Sequence, residues 1–267
     1  MKKIILSFLF FVSIQVHAVD TLKMSTTTST ENSGLLAVLH PVFEKKYQAR
    51  IDVIAVGTGK ALKLAENGDV DLVFVHAPAA EIAFVEAGYG IDRQAVMHND
   101  FVILGAKTDS ATLKSSKTAG EALRKIAESK STFISRGDDS GTHKKENSLW
   151  KIANVSPKGD WYLAVGQGMG AVLKIADEKQ AYTLTDRGTY LAYQDKIDLN
   201  IVFEGDKFLF NPYHVIAVNP ALHKTANYSL AKKYIAFITS EEGQNMIARY
   251  KKKEQQLFTP DALSTKK

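Results

Sequence analysis

Short apolar runs alternate with helix-patterned ones along most of this 267-residue chain, and the alternation narrows the fold more than any other feature. Residues 51–56 read as a strand, residues 60–66 as a helix stopped by Asn67 and Gly68, residues 71–75 as a buried strand, and residues 81–87 as a helix with Gly88 behind it. Strand–helix–strand–helix order implies a parallel sheet with helices laid over its faces. In such sheets ligands gather outside the C-terminal ends of the strands, so the turns after strands are where chemistry is to be sought.

Three of those turns share one character. The strand-like residues 21–24 lead into Ser25, Thr26, Thr27, Thr28, Ser29 and Thr30, an unbroken hydroxyl run, and then into Leu35, Leu36, Leu39, Val42 and Phe43 at helical spacing. The run reads as a ligand loop rather than a strand: each residue brings an O–H donor, and such residues favour turns and N-caps. The first amides of a helix lack carbonyl partners and carry positive partial charge, so the combination makes an anion site. Gly57-Thr58-Gly59 repeats the pattern between strand 51–56 and its helix. The third turn, residues 136–142, follows strand 132–135 and carries Arg136, Ser140, Gly141 and Thr142. A guanidinium and free amides can there meet one oxyanion. Arg136 has a second use, a salt bridge to Asp138 or Asp139, and the two are compatible, because an arginine held on one edge can present the other.

A fourth glycine-rich turn, Gly166 to Gly170, has the loose dinucleotide spacing Gly166-x-Gly168-x-x-Ala171. It lies deep in the chain rather than in a first βαβ unit, and only Asp186 or Asp195 approximates the acidic residue that such a site needs. Its glycines either bring backbone amides close to a small anion or pack a helix on the sheet.

Residues 1–18 have the form of a secretory leader: Lys2 and Lys3, then an apolar run, then Val16-His17-Ala18 as a cleavage site. The secreted protein would begin at Val19 in a periplasm. Cysteine is absent, which excludes disulfides, thiolate metal sites and a lipidated cysteine at the junction. The formal charge of +5 includes Lys2 and Lys3, and the remaining excess is dispersed except at Lys251, Lys252 and Lys253. That trio reads as a solvated helix face, and secretion argues against nucleic acid as a partner.

Enzymatic motifs fail on spacing. Gly57-Thr58-Gly59-Lys60 lacks the upstream glycine and following Ser/Thr of a phosphate loop. Ser140, with His143 and Asp139, is the only plausible nucleophilic set, and it misses the spacing of a nucleophile elbow. The histidines show no zinc spacing. His40, His76, His98, His143, His214 and His223 read as satisfied core or surface residues.

Two apolar segments that end in polar residues, 101–107 and 214–220, flank an inserted α/β block, which suggests two crossings between lobes. Lobe one is then residues 19–104 and 213–267, and lobe two is residues 105–212, both of ordinary domain size.

Five stretches together resemble the TupA family, the tungstate-binding proteins of bacterial tungstate ABC importers: Thr26 to Ser29 with Ser33 to Leu36, Val56 to Leu62, Ser135 to His143, Gly166 to Gly170, and Tyr182 to Tyr190. The resemblance covers essentially the whole chain after residue 18. It implies an α/β, two-lobed periplasmic binding protein of the type II-like kind, with two crossover strands and the ligand cleft between lobes. It also implies tungstate or molybdate as ligand, an ABC transporter permease as partner, a monomer, no cofactor and no metal held as a cation. Molybdate, sulfate or phosphate on the same scaffold is the alternative ligand, and a secreted α/β enzyme acting on an anionic substrate, with Ser140, His143 and Asp139 as its nucleophilic set, is the rival class. Carried over residue by residue, the family's oxyanion contacts fall on Thr27, Thr28, Ser29, Thr58, Arg136, Ser140, Gly141 and Thr142. A flanking group comprises Thr26, Gly168, Met169, Gly170 and Arg187. Glu31 must point away from such a site.

Overall fold

The computed structural model describes residues 19–262, so the expected leader lies outside the described residues. Lobe one starts with β1 (Asp20–Thr27), the short α1 (Thr28–Ser33), α2 (Leu36–Tyr47), β2 (Ala49–Val56), α3 (Thr58–Glu66), β3 (Leu72–Val75) and α4 (Pro78–Glu86). The long β4 (Gly90–Gly105) then carries the chain into α5 (Ala119–Ser129), β5 (Phe133–Ser135), α6 (Gly141–Ile152), β6 (Tyr162–Ala164), α7 (Met169–Glu178), β7 (Tyr182–Asp186), α8 (Arg187–Tyr193) and β8 (Asn200–Phe203). Finally β9 (Phe210–Val218) brings it back, and α9 (Tyr228–Ile238) and α10 (Glu241–Arg249) close it.

The strands hydrogen-bond in the order β2-β1-β3-β9-β4-β7-β5-β6, with β8 also on β4. The sheet is mixed rather than parallel throughout. β1 pairs in parallel with β2 and β3, and β5 with β6 and β7, whereas β9 and β4 run antiparallel to their neighbours. The antiparallel strands are the two that cross. β4 pairs with β9 from Gly90 to Asp100 and with β7 from Phe101 to Leu104, so one continuous strand serves both halves of the sheet. Helices cover both faces of each half. Four apolar clusters result: Leu22, Leu39, Phe43, Phe74 and Tyr234 on one face of the first half, Leu62, Val73, Phe84 and Ile216 on the other; Phe133, Trp150 and Leu184, and Ile134, Val172 and Leu173, do the same for the second. Leu191 of α8 joins the first of these clusters although its helix follows β7, so the halves touch through a helix as well as through the crossing strands.

The hydroxyl run departs from its expected form. Ser25, Thr26 and Thr27 continue β1 instead of forming a loop, pairing with β2 as far as Thr27 opposite Val56. Threonine suits a strand, and the buried hydroxyls find backbone acceptors: Ser25 Oγ donates to the Ala61 carbonyl at 3.0 Å and Thr26 Oγ1 to the Phe74 carbonyl at 2.6 Å. Only from Thr27 onward does the run turn into a helix. That helix ends at Gly34, whose φ of 85° is a left-handed cap that glycine adopts without strain.

Candidate functional site

Three helices begin at one place. β1 ends at Thr27, which caps α1 by accepting the Thr30 amide on Oγ1. β2 ends one residue before Gly57, which opens α3 without a side-chain cap. β5 leads through Arg136 to Ser140, which caps α6 by accepting the His143 amide. Each start leaves amides with no intrahelical acceptor, and each helix axis adds positive potential there. All are C-terminal ends of parallel strands, where the alternation placed a ligand.

The residues at these ends surround one cavity lined by Thr27, Thr28, Ser29, Val56, Gly57, Thr58, His76, Arg136, Ser140, Gly141 and Thr142. Its free volume is about 10 Å³, on the scale of about one water. Walls from the two halves of the sheet meet closely. A methyl group on Gly141 would stand 3.1 Å from Thr58 Oγ1 and 3.4 Å from His76 Cε1. Glycine at the start of α6 is what lets that helix approach. Thr58 is buried, and its Oγ1 has no hydrogen-bond partner. A buried hydroxyl left unpaired costs about 1–3 kcal/mol, so it calls for an acceptor in the cavity.

Arg136 combines both of its expected uses. Nε and Nη2 both donate to Asp138 Oδ2, the former at 3.1 Å, while Nη1 has no protein partner among the described residues. Asp138 in turn accepts the Ser140 amide on Oδ1 at 3.2 Å. Burial works to raise the Asp138 pKa, but the bonds from Arg136 and Ser140 outweigh it and hold the carboxyl below its ordinary value. The pair is therefore neutral overall and fixes the guanidinium against the cavity wall. Glu31 is exposed on α1 and is not part of the lining.

Over residues 14–242 the chain matches the PBP superfamily domain. It is 47% identical over 252 residues to the tungstate-binding protein TupA of Peptoclostridium acidaminophilum, covering 93% of this chain and 88% of that protein. The chain belongs to the TupA family. Among solved structures, the tungstate ABC transporter protein of Geobacter sulfurreducens is 57% identical, with a TM-score of 0.81 over 86% of this chain and 98% of that one. Tungstate binding protein TupA from Desulfovibrio alaskensis G20 is 48% identical, also at a TM-score of 0.81, covering 91% of this chain and 99% of its own. The expected α/β fold, with two lobes and crossing strands, is thus the fold of the TupA family.

Of the residues singled out in the sequence, Thr27, Thr28, Ser29, Thr58, Arg136, Ser140, Gly141 and Thr142 come together around the cavity. The flanking group does not. Thr26 lies in β1 with its hydroxyl spent on Phe74. Met169 is buried among Val172 and Leu173, and the start of α7 at Gly168 and Gly170 lines no part of the cavity; a methyl on Gly170 would meet the Tyr193 hydroxyl at 2.2 Å. Gly170 thus packs α7 against Tyr193 of α8, the second of the two expected uses, whereas a methyl on Gly168 would meet nothing within 4 Å. Arg187 is clamped at the crossing: Nε and Nη2 donate to the two oxygens of Asp100, each at 2.6 Å, and Nη2 also reaches Glu204. These bonds hold the Arg187 pKa well above its ordinary value. The groove beside it, of about 490 Å³, is larger than the cavity, and the Arg187 guanidinium in it is spent on Asp100 and Glu204.

The serine-centred set does not form a relay. Ser140 Oγ accepts from the His143 amide, His143 Nδ1 accepts from the Asp139 amide at 3.0 Å, and the Asp139 carboxylate pairs with Lys144 at 2.6 Å. The imidazole that would deprotonate Ser140 is committed elsewhere.

The residue that sequence reasoning passed over is His76. It follows β3 directly, at a strand end like the others, and its Nε2 lies 3.1 Å from both Thr27 Oγ1 and Ser29 Oγ. Position after a parallel strand was the available signal, and a lone histidine among scattered ones obscured it.

Proposed function

We propose that this chain captures tungstate, and molybdate with it, between its two lobes in the periplasm, and hands the oxyanion to an ABC permease, acting as a monomer without a cofactor. Residues 19–104 and 213–267 supply one wall of the site and residues 105–212 the other. The observation that carries the reading is the buried, unpartnered Thr58 Oγ1 in a cavity ringed by three helix starts. Membership of the TupA family supports it.

The ligand is a tetrahedral dianion. Hydroxyls and first-turn amides of Thr27 to Ser29 and Thr58 donate to it from one side, and Arg136 Nη1 with Ser140, Gly141 and Thr142 from the other. Neutral donors suit the task, because they satisfy the oxygens without a net charge that would take any anion. Arg136 is matched by Asp138, so the protein adds little net charge of its own. A lining of donors also disfavours hydrogen phosphate, which must itself donate. Lobe closure strengthens each bond by excluding water, and the closed form is a shape that a permease can recognise.

Titration calorimetry of the protein starting at Val19 with tungstate, molybdate, sulfate and phosphate tests this. Tungstate should bind at one site and stabilise the fold by about 3 to 4 kcal/mol at a hundred to a thousand times Kd. Flat titrations and an unmoved melting temperature with both tungstate and molybdate would remove the reading.

A further inference from the structure

One cavity-lining side chain is held in a single tautomer by the second crossing strand. His76 Nδ1 lies 2.9 Å from Asn211 Oδ1. An amide oxygen only accepts, so Nδ1 carries the ring proton. Asn211 is itself oriented, since its Nδ2 donates to Asn99 Oδ1 at 2.6 Å and to the Tyr213 hydroxyl at 3.2 Å. Tyr213 also stacks on the imidazole, with ring centroids 4.5 Å apart and planes at 21°, which fixes the ring plane. Burial lowers the pKa of His76 and keeps it neutral. Nε2 therefore holds a lone pair and no proton, at hydrogen-bond distance from two hydroxyls of a cavity otherwise lined with donors.

The hydroxyl protons can then be followed. Thr30 is fully buried and its Oγ1 has one partner, Thr27 Oγ1 at 2.6 Å, so its proton goes there. Thr27 Oγ1 also receives the Thr30 amide, at 3.2 Å, which fills its two acceptor positions. Its own proton has two outlets, His76 Nε2 at 3.1 Å and Ser29 Oγ at 3.0 Å, and the Ser29 hydroxyl stands at the same 3.1 Å from Nε2, so the single lone pair takes a proton from one of the two and leaves the other for the cavity.

We propose that His76 is a positioning residue for oxyanion capture: its Nε2 accepts the Thr27 hydroxyl proton, which leaves the Ser29 proton directed into the cavity. Thr27 then serves the site through its backbone and as the cap of α1, and Ser29 is the hydroxyl donor of that turn. The proposal rests on the oxyanion reading above and deepens it. It also ties the donor pattern to β9 and β4, the two strands that cross between lobes, through Asn211 and Asn99.

Long-range proton–nitrogen NMR of the imidazole, in free and tungstate-saturated protein at neutral pH, tests it without a substitution. The expected result is a neutral His76 with its proton on Nδ1 in both. His76→Leu removes the one acceptor that holds both the Thr27 and the Ser29 hydroxyl in place, so tungstate Kd should rise by about tenfold, on the order of one net hydrogen bond. His76→Gln, which can restore an acceptor, should recover part of that, and Ser29→Ala should lose as much as His76→Leu. A proton on Nε2, an imidazolium in the saturated protein, or unchanged affinity in a folded His76→Leu would overturn the proposal. A flat wild-type titration would instead remove the oxyanion reading itself and this proposal with it, an outcome distinct from a wild type that binds tungstate with the wrong tautomer.

Discussion

Replacing Thr58 by valine keeps the shape of the side chain and deletes only the hydroxyl. Most such changes in a buried site break a bond to the protein. This one does not, because Thr58 Oγ1 has no partner among the described residues. In the ligand-free structure the substitution removes an unpaired polar atom whose burial costs about 1–3 kcal/mol, so the free protein should be unchanged or slightly more stable. The bound form is affected in the opposite sense. A hydrogen bond to a charged group contributes about 1.5–3 kcal/mol, so tungstate affinity should fall by roughly ten- to a hundredfold. Thr58→Ser retains the hydroxyl and should bind within a few-fold of wild type. Calorimetric titration measures the affinity, and urea unfolding without ligand measures the stability. Unchanged affinity in Thr58→Val would show that the hydroxyl faces no ligand. A folded but markedly destabilised variant would show that it has a partner in the protein, and either result refutes the reasoning.

Arg136→Ala should weaken tungstate binding by about 2 to 5 kcal/mol, thirty-fold or more, and Arg136→Lys should recover part of it, because a lysine keeps the charge but loses the planar fork. Titrations of both variants decide this, and an Ala variant with wild-type affinity would confine Arg136 to its bond with Asp138. Gly141→Ala puts a methyl 3.1 Å from Thr58 Oγ1, so it should hinder closure: the compaction that tungstate produces in small-angle scattering should shrink while the ligand-free melting temperature holds. His40 gives a pH dependence away from the site. Burial lowers its pKa from 6.5 to about 4, so the unfolded chain binds the extra proton between those values and stability falls as pH drops through that window, by about 3 kcal/mol in all. Urea unfolding at several pH values should show a shallower slope in His40→Gln.

Why some of this was legible and some was not has a physical answer. A turn advertises itself when its chemistry is local: Thr58 and Arg136 stand between a strand and a helix start, and spacing alone puts them at a strand end. Side chains whose partners come from far along the chain do not. Arg187 reads as a basic residue at a helix start, and nothing near it in sequence shows that Asp100, 87 positions away, already holds it. His76 depends on Asn211, 135 positions on. Thr26 fails for a third reason, because strand propensity and a backbone acceptor override the turn preference of a hydroxyl run. The mixed sheet was hidden likewise, since β4 is one strand of 16 residues of which only the apolar end, residues 101–105, announces itself.

The cavity is assembled from two walls that belong to different halves of the sheet, and on the proposed reading that division would separate capture from retention. On the reading proposed above, an anion arriving at an open form would meet Thr27 to Ser29 and Thr58 with His76 behind them, so that wall would govern how often an encounter succeeds. On the same reading Arg136, Ser140, Gly141 and Thr142 would arrive only as the lobes come together, and they would govern how long the ion stays. A transporter that pries the lobes apart would therefore withdraw the second group without touching the first. Unloading then needs no chemistry at the ion, only displacement of one wall and the entry of water.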